Sequence, residues 1–300
     1  MISFHITESD HCRSVGSFLR NLLPTGSLAY LKKLVRSGNV ALNGLPVLSQ
    51  QVLLLSGDRL TVKESSKTAS LVRAGRTGPD ILHEDQWIIV INKPPGLAMH
   101  KTAEEGEDLV QLGTRFLAGR DGFPGKLRPV NRLDRGTSGV VVLAKSPTAA
   151  GMFGRLVMGS GLSKVYLAIV QGRIPREGKI NLSLEGKEAE TGFRSLFQSE
   201  TMALAAVYPT SGRMHQIRKH FQSIGHPVCG DRRYGGQKLA ERDGIFLHSF
   251  RTSFIHPSTG EKMSLLAPLP EDFLTMIRGL AGEYYSPLLR DLSTIPAETH

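Results

Sequence analysis

The segment Arg128–Lys145, RPVNRLDRGTSGVVVLAK, predicts the centre of the fold. Its second half, Val140–Ala144, is a run of five apolar residues rich in β-branched side chains, which is typical of a buried strand. Just before this strand, Asp134 lies between two arginines, Arg132 and Arg135, and is followed by a turn of small residues, GTSG. A loop anchored on a buried strand can hold one side chain in a fixed pose. The pattern therefore indicates either a structural Asp–Arg turn or a loop that presents a reactive carboxylate.

Composition narrows the class of protein. The chain has 300 residues, of which 40% are hydrophobic and 21% charged, proportions typical of a globular protein. Lys and Arg outnumber Asp and Glu by 37 to 27, and this surplus is consistent with a polyanionic partner or with a merely basic enzyme. Cys12 and Cys229 lie too far apart to indicate a disulfide framework or a zinc site. Because no signal peptide and no bilayer-length apolar run is found, we expect a soluble, cytoplasmic protein.

The first 65 residues predict two helices followed by a small sheet. Apolar side chains from Val15 to Leu23 follow a helical period, and Ser14 is placed to cap that helix. A second helix is predicted to begin near Ser27, and Asn43-Gly44 is a hairpin signal between short strands. The second helix carries a basic cluster on its outer side: Lys32, Lys33 and Arg36. This order of elements resembles the S-four-type RNA-binding domain, which implies RNA contact through the basic cluster instead of a merely solvated helix face.

A change of composition separates this region from the rest of the chain. Residues 64–79, ESSKTASLVRAGRTGP, are rich in small and basic residues and are typical of a linker. We therefore predict an RNA-binding domain over residues 1–65, a linker over 66–80 and a catalytic domain over 81–285. Residues 286–300 are predicted to be a C-terminal tail.

Two segments of the larger domain combine a strand with a distinctive polar residue. Trp87–Ile91 predicts a strand and precedes NKPPG, in which Lys93 is suited either to RNA contact or to a structural turn. Ser163–Gly172 has the alternating side-chain pattern of another strand, and the spacing alone assigns its Tyr166 to the core. The chain between them predicts a helix and then a loop rich in glycine and proline, over Asp108–Leu117 and Gly119–Leu127.

The segment Thr210–Gly236, TSGRMHQIRKHFQSIGHPVCGDRRYGG, concentrates basic residues and three histidines. Histidines so close together are compatible with a metal site. The segment has no H-E-x-x-H motif and no carboxylate in the intervening turn, which argues against a zinc hydrolase.

These separated elements, in this order, resemble the motifs of the RluA-type pseudouridine synthases over about residues 81–270. The segment around Asp134 resembles the signature H-R-L-D-x-x-T-S-G, with Asn131 in place of the histidine. The segment around Tyr166 matches K-x-Y-x-A-x-x-x-G, and NKPPG with the following residues matches K-P-x-G-x-x-x-H. Thr210–Gly236 matches G-R-x-H-Q-I-R-x-H-x-x-x-x-G-x-P-x-x-G-D-x-x-Y-G at every specified position.

The resemblance implies an α+β fold, with a bent, mostly antiparallel mixed sheet flanked by helices. It implies isomerisation of uridine to pseudouridine within RNA, without a metal or an organic cofactor. Asp134 is then the catalytic carboxylate, Arg218 its cationic partner and Tyr166 the ring that stacks on the target uracil. Ile217 would form part of the pocket wall, and Arg132 would fill the space left by the extruded nucleotide.

The partner implied is RNA, with ribosomal RNA favoured over tRNA. We expect the protein to be a monomer and to have no membrane partner. Two other functions remain compatible with parts of the sequence. One is a noncatalytic RNA-binding or ribosome-assembly factor, against which the combination of Asp134, Tyr166 and Arg218 argues. The other is a phosphate-handling enzyme, but the chain has no G-x-x-x-x-G-K-[ST] motif.

Overall fold

A computed structural model of the chain describes residues 1–65, 68, 71, 78–100, 106–159, 161–237 and 244–297. These residues form a small N-terminal unit with a four-stranded sheet and a larger unit with a ten-stranded mixed sheet. Helices flank both sheets, which confirms the predicted α+β class. Within the described residues, no helix is long and apolar enough to span a membrane.

The N-terminal unit follows the predicted order and adds one strand. Its elements are β1 (Ile2–His5), α1 (Val15–Leu22), α2 (Leu28–Arg36), β2 (Val40–Leu42), β3 (Leu45–Pro46) and β4 (Arg59–Val62). Ser14 and Ser27 cap the two helices, because their hydroxyl groups accept from the backbone N–H groups of Ser17 and Tyr30. Asn43 and Gly44 both have positive φ, 52° and 85°, as the predicted tight hairpin requires.

The larger unit is built on one extended sheet. Its first half contains β5 (Ile81–Glu84), β6 (Ile88–Lys93), α3 (Leu109–Asp121), β7 (Arg128–Pro129), β8 (Ser138–Ala144), α4 (Pro147–Met158) and β9 (Leu162–Gln171). Its second half contains β10 (Glu177–Asn181), β11 (Glu190–Gln198), β12 (Met202–Pro209), α5 (Gln216–Ser223), β13 (Leu247–Ile255), β14 (Lys262–Leu266), α6 (Glu271–Ala281) and α7 (Tyr285–Leu292). The main strand order is β10-β11-β12-β9-β13-β8-β6-β5. Only the β13–β8 pair among the described pairings is parallel.

Strand β8 is the support that the sequence predicts, since every residue from Ser138 to Ala144 is buried. Its side chains alternate between the two faces of the sheet. Val141 and Leu143 belong to the apolar cluster that α3 and α5 cover, which we call the front face. Val140 and Val142 belong to the cluster on the other side, with α4 and β14, which we call the back face.

Two predicted irregular segments contain regular structure. Helix α3 continues to Asp121 and ends at Gly122, whose φ is 66°, so the predicted loop begins later than Gly119. The buried ion pair between Arg120 and Glu84 fixes this last helical turn. The predicted C-terminal tail contains most of α7, and Leu289, Leu292 and Ile295 are buried against the sheet, so the prediction of a tail is wrong. Its last residues, 298–300, lie outside the described residues.

The N-terminal unit docks directly on the larger unit. Arg13 donates to both oxygens of Asp80 at 2.6 and 3.0 Å, and its side chain is 5% exposed. Ser17 and Asn21 on α1 donate to the carbonyl oxygen of Ile81 at 2.7 and 2.8 Å. These hydrogen bonds join α1 to the backbone of β5. Most of the predicted linker, 66–80, lies outside the described residues, but these contacts hold the two units together independently of it.

Candidate active site

The loop between β7 and β8 presents Asp134 at the end of the most buried strand. The backbone N–H of Thr137 donates to the carbonyl oxygen of Asp134 at 3.0 Å, which closes a tight turn. Gly139 follows with φ 110°, and a Cβ there would lie 2.2 Å from the carbonyl oxygen of Ser249, so only glycine allows the parallel β8–β13 contact. The carboxylate of Asp134 is 29% exposed, so it is both fixed and reachable.

Arg218 joins Asp134 to a second carboxylate. It lies on α5, and its Nη1 atom donates to Oδ2 of Asp134 at 2.8 Å. Its Nε and Nη2 atoms donate to the two oxygens of Asp231 at 2.6 and 2.8 Å. Asp231 is almost fully buried. Desolvation of the guanidinium lowers the pKa of Arg218, but the hydrogen bonds that it donates to Asp231 and Asp134 outweigh this effect and raise the pKa. Arg218 is therefore a permanent cation held in one orientation towards Asp134.

His215 is a further neighbour of the carboxylate. Its Nε2 atom lies 3.7 Å from Oδ1 of Asp134, and its Nδ1 atom lies 2.8 Å from the hydroxyl of Tyr234. Burial lowers the pKa of His215; Asp134 acts in the opposite sense, and the cation of Arg218 adds to the lowering. His215 has φ 55°, a left-handed conformation that is uncommon outside glycine. The guanidinium of Arg218 stacks over the ring of Tyr234 at 4.8 Å, which ties α5 to the turn after Asp231.

Lys93 stabilises the loop that carries Asp134. Its Nζ atom donates to three carbonyl oxygens, those of Pro94, Leu97 and Arg135, at 2.9, 2.8 and 3.0 Å. The residue is fully buried, and desolvation lowers its pKa to about 7 although the charge of Asp134 opposes the shift. Of the two roles compatible with the sequence, the structural turn is therefore the correct one. Lys93 links the NKPPG turn to the backbone next to Asp134.

The remaining predicted site residues fall into two groups. Tyr166 on β9 and Ile217 on α5 are both buried in the front-face cluster, where burial is the main cause that raises the pKa of Tyr166 to about 12. Arg132 is exposed, and within the described part of the chain it makes no ion pair. The basic cluster on α2 is also exposed but belongs to the N-terminal unit, outside the Asp134 group: Lys32, Lys33 and Arg36.

Sequence reasoning missed three members of the Asp134 group. Asp231, His215 and Tyr234 all lie inside the matched segment Thr210–Gly236, but nothing in the spacing assigned them to the carboxylate. A signal existed for Asp231, since a lone aspartate in a segment with this excess of arginine is suited to a buried ion pair. His248, by contrast, is a packed core residue, because its ring nitrogens lie 2.9 Å from the Ser138 hydroxyl and 3.1 Å from the Ala267 carbonyl oxygen.

Asn131, the residue that departs from the family signature, bonds the neighbouring strand. Its Nδ2 atom donates to the carbonyl oxygen of Val140 at 3.1 Å, and its Oδ1 atom accepts from the backbone N–H of Val142 at 2.8 Å. Both contacts are buried, so the side chain completes the hydrogen bonding of β8 just before Asp134. The amide thus holds the backbone on which Asp134 depends.

We predict that Asn131→Ala lowers stability by about 1–3 kcal/mol, because two buried backbone groups lose their partners. Turnover should fall with it, since the Asp134 loop loses an anchor. Asn131→His should keep most of the activity, because a neutral imidazole also has one donor and one acceptor. The pH–rate profile of this variant should show no new titration near pH 6.5. Urea unfolding and a pH–rate profile measure these effects. A large gain of activity in the histidine variant, with a new pH-dependent limb, would contradict the structural role.

Comparisons with known proteins identify the family. Residues 87–223 match the family model described as RNA pseudouridylate synthase. The uncharacterized RNA pseudouridine synthase YlyB of Bacillus subtilis is 30% identical, over 93% of this chain and 99% of that protein. Ribosomal large subunit pseudouridine synthase C of Escherichia coli is 30% identical, over 89% of this chain and 92% of that protein.

A solved structure shares the fold. Human RNA Pseudouridylate Synthase Domain Containing 1 is 25% identical, with a TM-score of 0.53 over 63% of this chain and 83% of that chain. The chain therefore belongs to the RNA pseudouridine synthase family, and it is an isomerase that converts uridine to pseudouridine in RNA.

Proposed function

We propose that this enzyme modifies a specific uridine of large-subunit ribosomal RNA and that Asp134 is its catalytic carboxylate. The observation that carries the catalytic part is the ion pair between Asp134 and Arg218, in which one partner is reachable and the other is fixed by buried Asp231. The choice of ribosomal RNA is supported by the Escherichia coli relative, a ribosomal large subunit pseudouridine synthase that aligns over most of both chains.

The reaction conserves every atom of the nucleotide. The bond between N1 of uracil and C1′ of ribose breaks, the base rotates, and a bond between C5 and C1′ forms. C5 then loses a proton and N1 gains one, so no external reagent enters. An ionised carboxylate can begin this sequence in two ways, by attacking C1′ or by removing the proton from C2′. Both routes need the charge of Asp134, which the guanidinium of Arg218 stabilises.

The apolar front-face residues next to Asp134 are suited to hold the base. We assign Tyr166 to stack on the extruded uracil and Ile217 to the wall of the pocket, since both belong to the apolar cluster that α5 covers. Exposed Arg132, two residues before Asp134, is placed to occupy the gap that the extruded nucleotide leaves in the RNA. These roles need no metal or organic cofactor.

We assign RNA binding to the N-terminal unit and catalysis to the larger one, within a monomer. The division follows the predicted boundaries, 1–65 and 81–285, with α7 added to the catalytic unit. Support comes from the exposed cations of α2, which suit phosphate contacts.

Mapping of pseudouridine in cells with and without the gene tests the substrate. We expect at least one pseudouridine of large-subunit ribosomal RNA to disappear on deletion and to return when the wild-type gene is restored. A matched strain that carries the Asp134→Asn gene controls for loss of the protein itself. Loss of pseudouridine from tRNA alone would overturn the proposed substrate and leave the enzyme class intact.

A further inference from the structure

A cavity within the described residues lies between the two units and away from Asp134. Its volume is about 610 Å³. One wall comes from α2 and the segment after β3, and the other from β5, Trp87 and the β13–β14 hairpin. We call this space the interdomain cleft.

The cleft opens on the back face of the sheet. Leu82, Met263 and Leu265 line it, and all three belong to the back-face cluster. Tyr166 and Ile217 belong to the front-face cluster, which adjoins the Asp134 group. The cleft is therefore a separate site and not an extension of the active site.

The cleft has the positive charge that phosphates require. Lys32 and Arg36 line it from α2, where a spacing of four residues places both on one side of the helix. Both are exposed, and within the described residues neither has a carboxylate partner. Lys33, on the same helix, does not line the cleft.

Two of the three lining carboxylates of the opposite wall are held by hydrogen-bond donors. Glu84 is paired with Arg120 at 2.5 Å, with Lys145 at 2.7 Å and with Arg20 at 3.5 Å. Asp85 lies 3.0 Å from Nε2 of His83 and accepts from two backbone N–H groups. Glu261 alone among the lining carboxylates has no ion pair in the part of the chain that the structure describes. Lys32 and Arg36 therefore give the cleft a cationic wall, and the cations around Glu84 neutralise that carboxylate on the other side.

The facing wall also carries an aromatic ring. Trp87 is half-buried at the cleft, and its indole Nε1 has no hydrogen-bond partner among the described residues. Gln50 and Gln51, with amide groups suited to base edges, complete the same space. An aromatic ring that shares a cleft with cations and amides is a combination suited to unstacked nucleotides.

The size of the cleft selects the form of the nucleic acid. A volume of about 610 Å³ is within the range of sites for single small molecules and is too small for a duplex. The walls are held in place by buried contacts, above all the ion pair of Arg13 with Asp80. Such a preformed site loses little free energy to ordering when it binds.

We propose that the interdomain cleft binds a single-stranded segment of the substrate RNA, with a base stacked on Trp87 and phosphates on Lys32 and Arg36. This inference rests on the proposed function of the N-terminal unit and specifies the form of RNA that it takes. Because the cleft and Asp134 are on opposite faces, an RNA that reaches both passes around the edge of the sheet. The best substrate is then a structured element with an unpaired flank.

Trp87 is the only tryptophan of the chain, so its fluorescence reports occupancy of the cleft directly. We expect an unstructured ten-nucleotide RNA to quench this emission in the full-length protein. Lys32→Glu combined with Arg36→Glu should weaken the titration by roughly ten-fold or more and reduce its salt dependence, because two phosphate contacts are lost. Arg59→Glu and Lys63→Glu, combined, form the matched control with the same change of charge, because both residues are exposed in the same unit and neither lines the cleft. This control should shift the midpoint by less than about three-fold, the residual effect of net charge alone.

Two results would overturn the proposal: binding of the oligonucleotide without any change in Trp87 emission, or equal weakening by the cleft and control variants. Pseudouridine formation on a target stem-loop without a flank is measured in parallel. The cleft variant should lose the rate advantage that an added flank gives to the wild-type enzyme, measured as the ratio of rates with and without the flank. If the wild-type enzyme formed no pseudouridine in ribosomal RNA, the proposed substrate would be wrong instead. The two failures are therefore distinguishable.

Discussion

Asp134→Asn is expected to abolish pseudouridine formation while RNA binding is retained. Asparagine has nearly the same volume as aspartate, and its Oδ1 atom can still accept the hydrogen bond that Arg218 donates at 2.8 Å. The loop should therefore stay in place, but neither attack on C1′ nor removal of the C2′ proton is possible without the charge. We expect a loss of turnover on the order of 10⁴-fold, the upper end for a positioned acid–base group.

Affinity should stay the same or increase, because one negative charge is removed from a surface that meets phosphates. Glu200→Gln serves as the matched control, since Glu200 is exposed and pairs with Arg173 at the surface. Single-turnover assays with a target stem-loop separate chemistry from binding. Pseudouridine formation by Asp134→Asn at a rate within ten-fold of the wild type would exclude Asp134 as the catalytic carboxylate.

Local sequence signals predicted much of the fold for a physical reason. Ser14, Ser27 and Asp108 begin helices because each side chain accepts from an N–H group three residues later, and that bond is encoded within a few positions. The buried strand β8 was likewise visible as an apolar run. Strand β1 was missed, because its four residues become a strand only by pairing with β4, almost sixty positions later.

The site was predictable only in part, for the same reason of distance along the chain. Family resemblance implied the pairing of Asp134 with Arg218, and the structure brings these two side chains together. The third residue of this network, Asp231, is brought to Arg218 by the packing of distant segments. The burial of Lys93 next to the loop has the same origin. No periodicity encodes such contacts. The back-face position of the cleft was also beyond sequence reasoning, since it depends on how the N-terminal unit docks.

Replacement of Arg218 is expected to lower both the stability and the turnover of the enzyme by a large factor. Arg218→Ala leaves Asp231 buried without its cation, and breaking such a pair from one side costs about 3–5 kcal/mol. Turnover should fall by at least about 10²-fold, because Asp134 also loses the charge that orients it. Urea unfolding measures the first effect, and single-turnover kinetics on the folded fraction measures the second.

A double variant, Arg218→Met with Asp231→Asn, separates the two roles of this arginine. It removes both buried charges together, so no uncompensated carboxylate remains at position 231, and most of the lost stability should return. Activity should not return with it, because Asp134 still lacks a cationic partner. Arg218→Lys gives the complementary result: the charge is kept, but a single ammonium cannot reproduce the fork that spans both carboxylates, so activity should be intermediate. If the double variant recovered wild-type turnover together with stability, Arg218 would be a structural residue only. The orientation of Asp134 would then have to come from His215, whose Nε2 atom lies 3.7 Å from the other carboxylate oxygen.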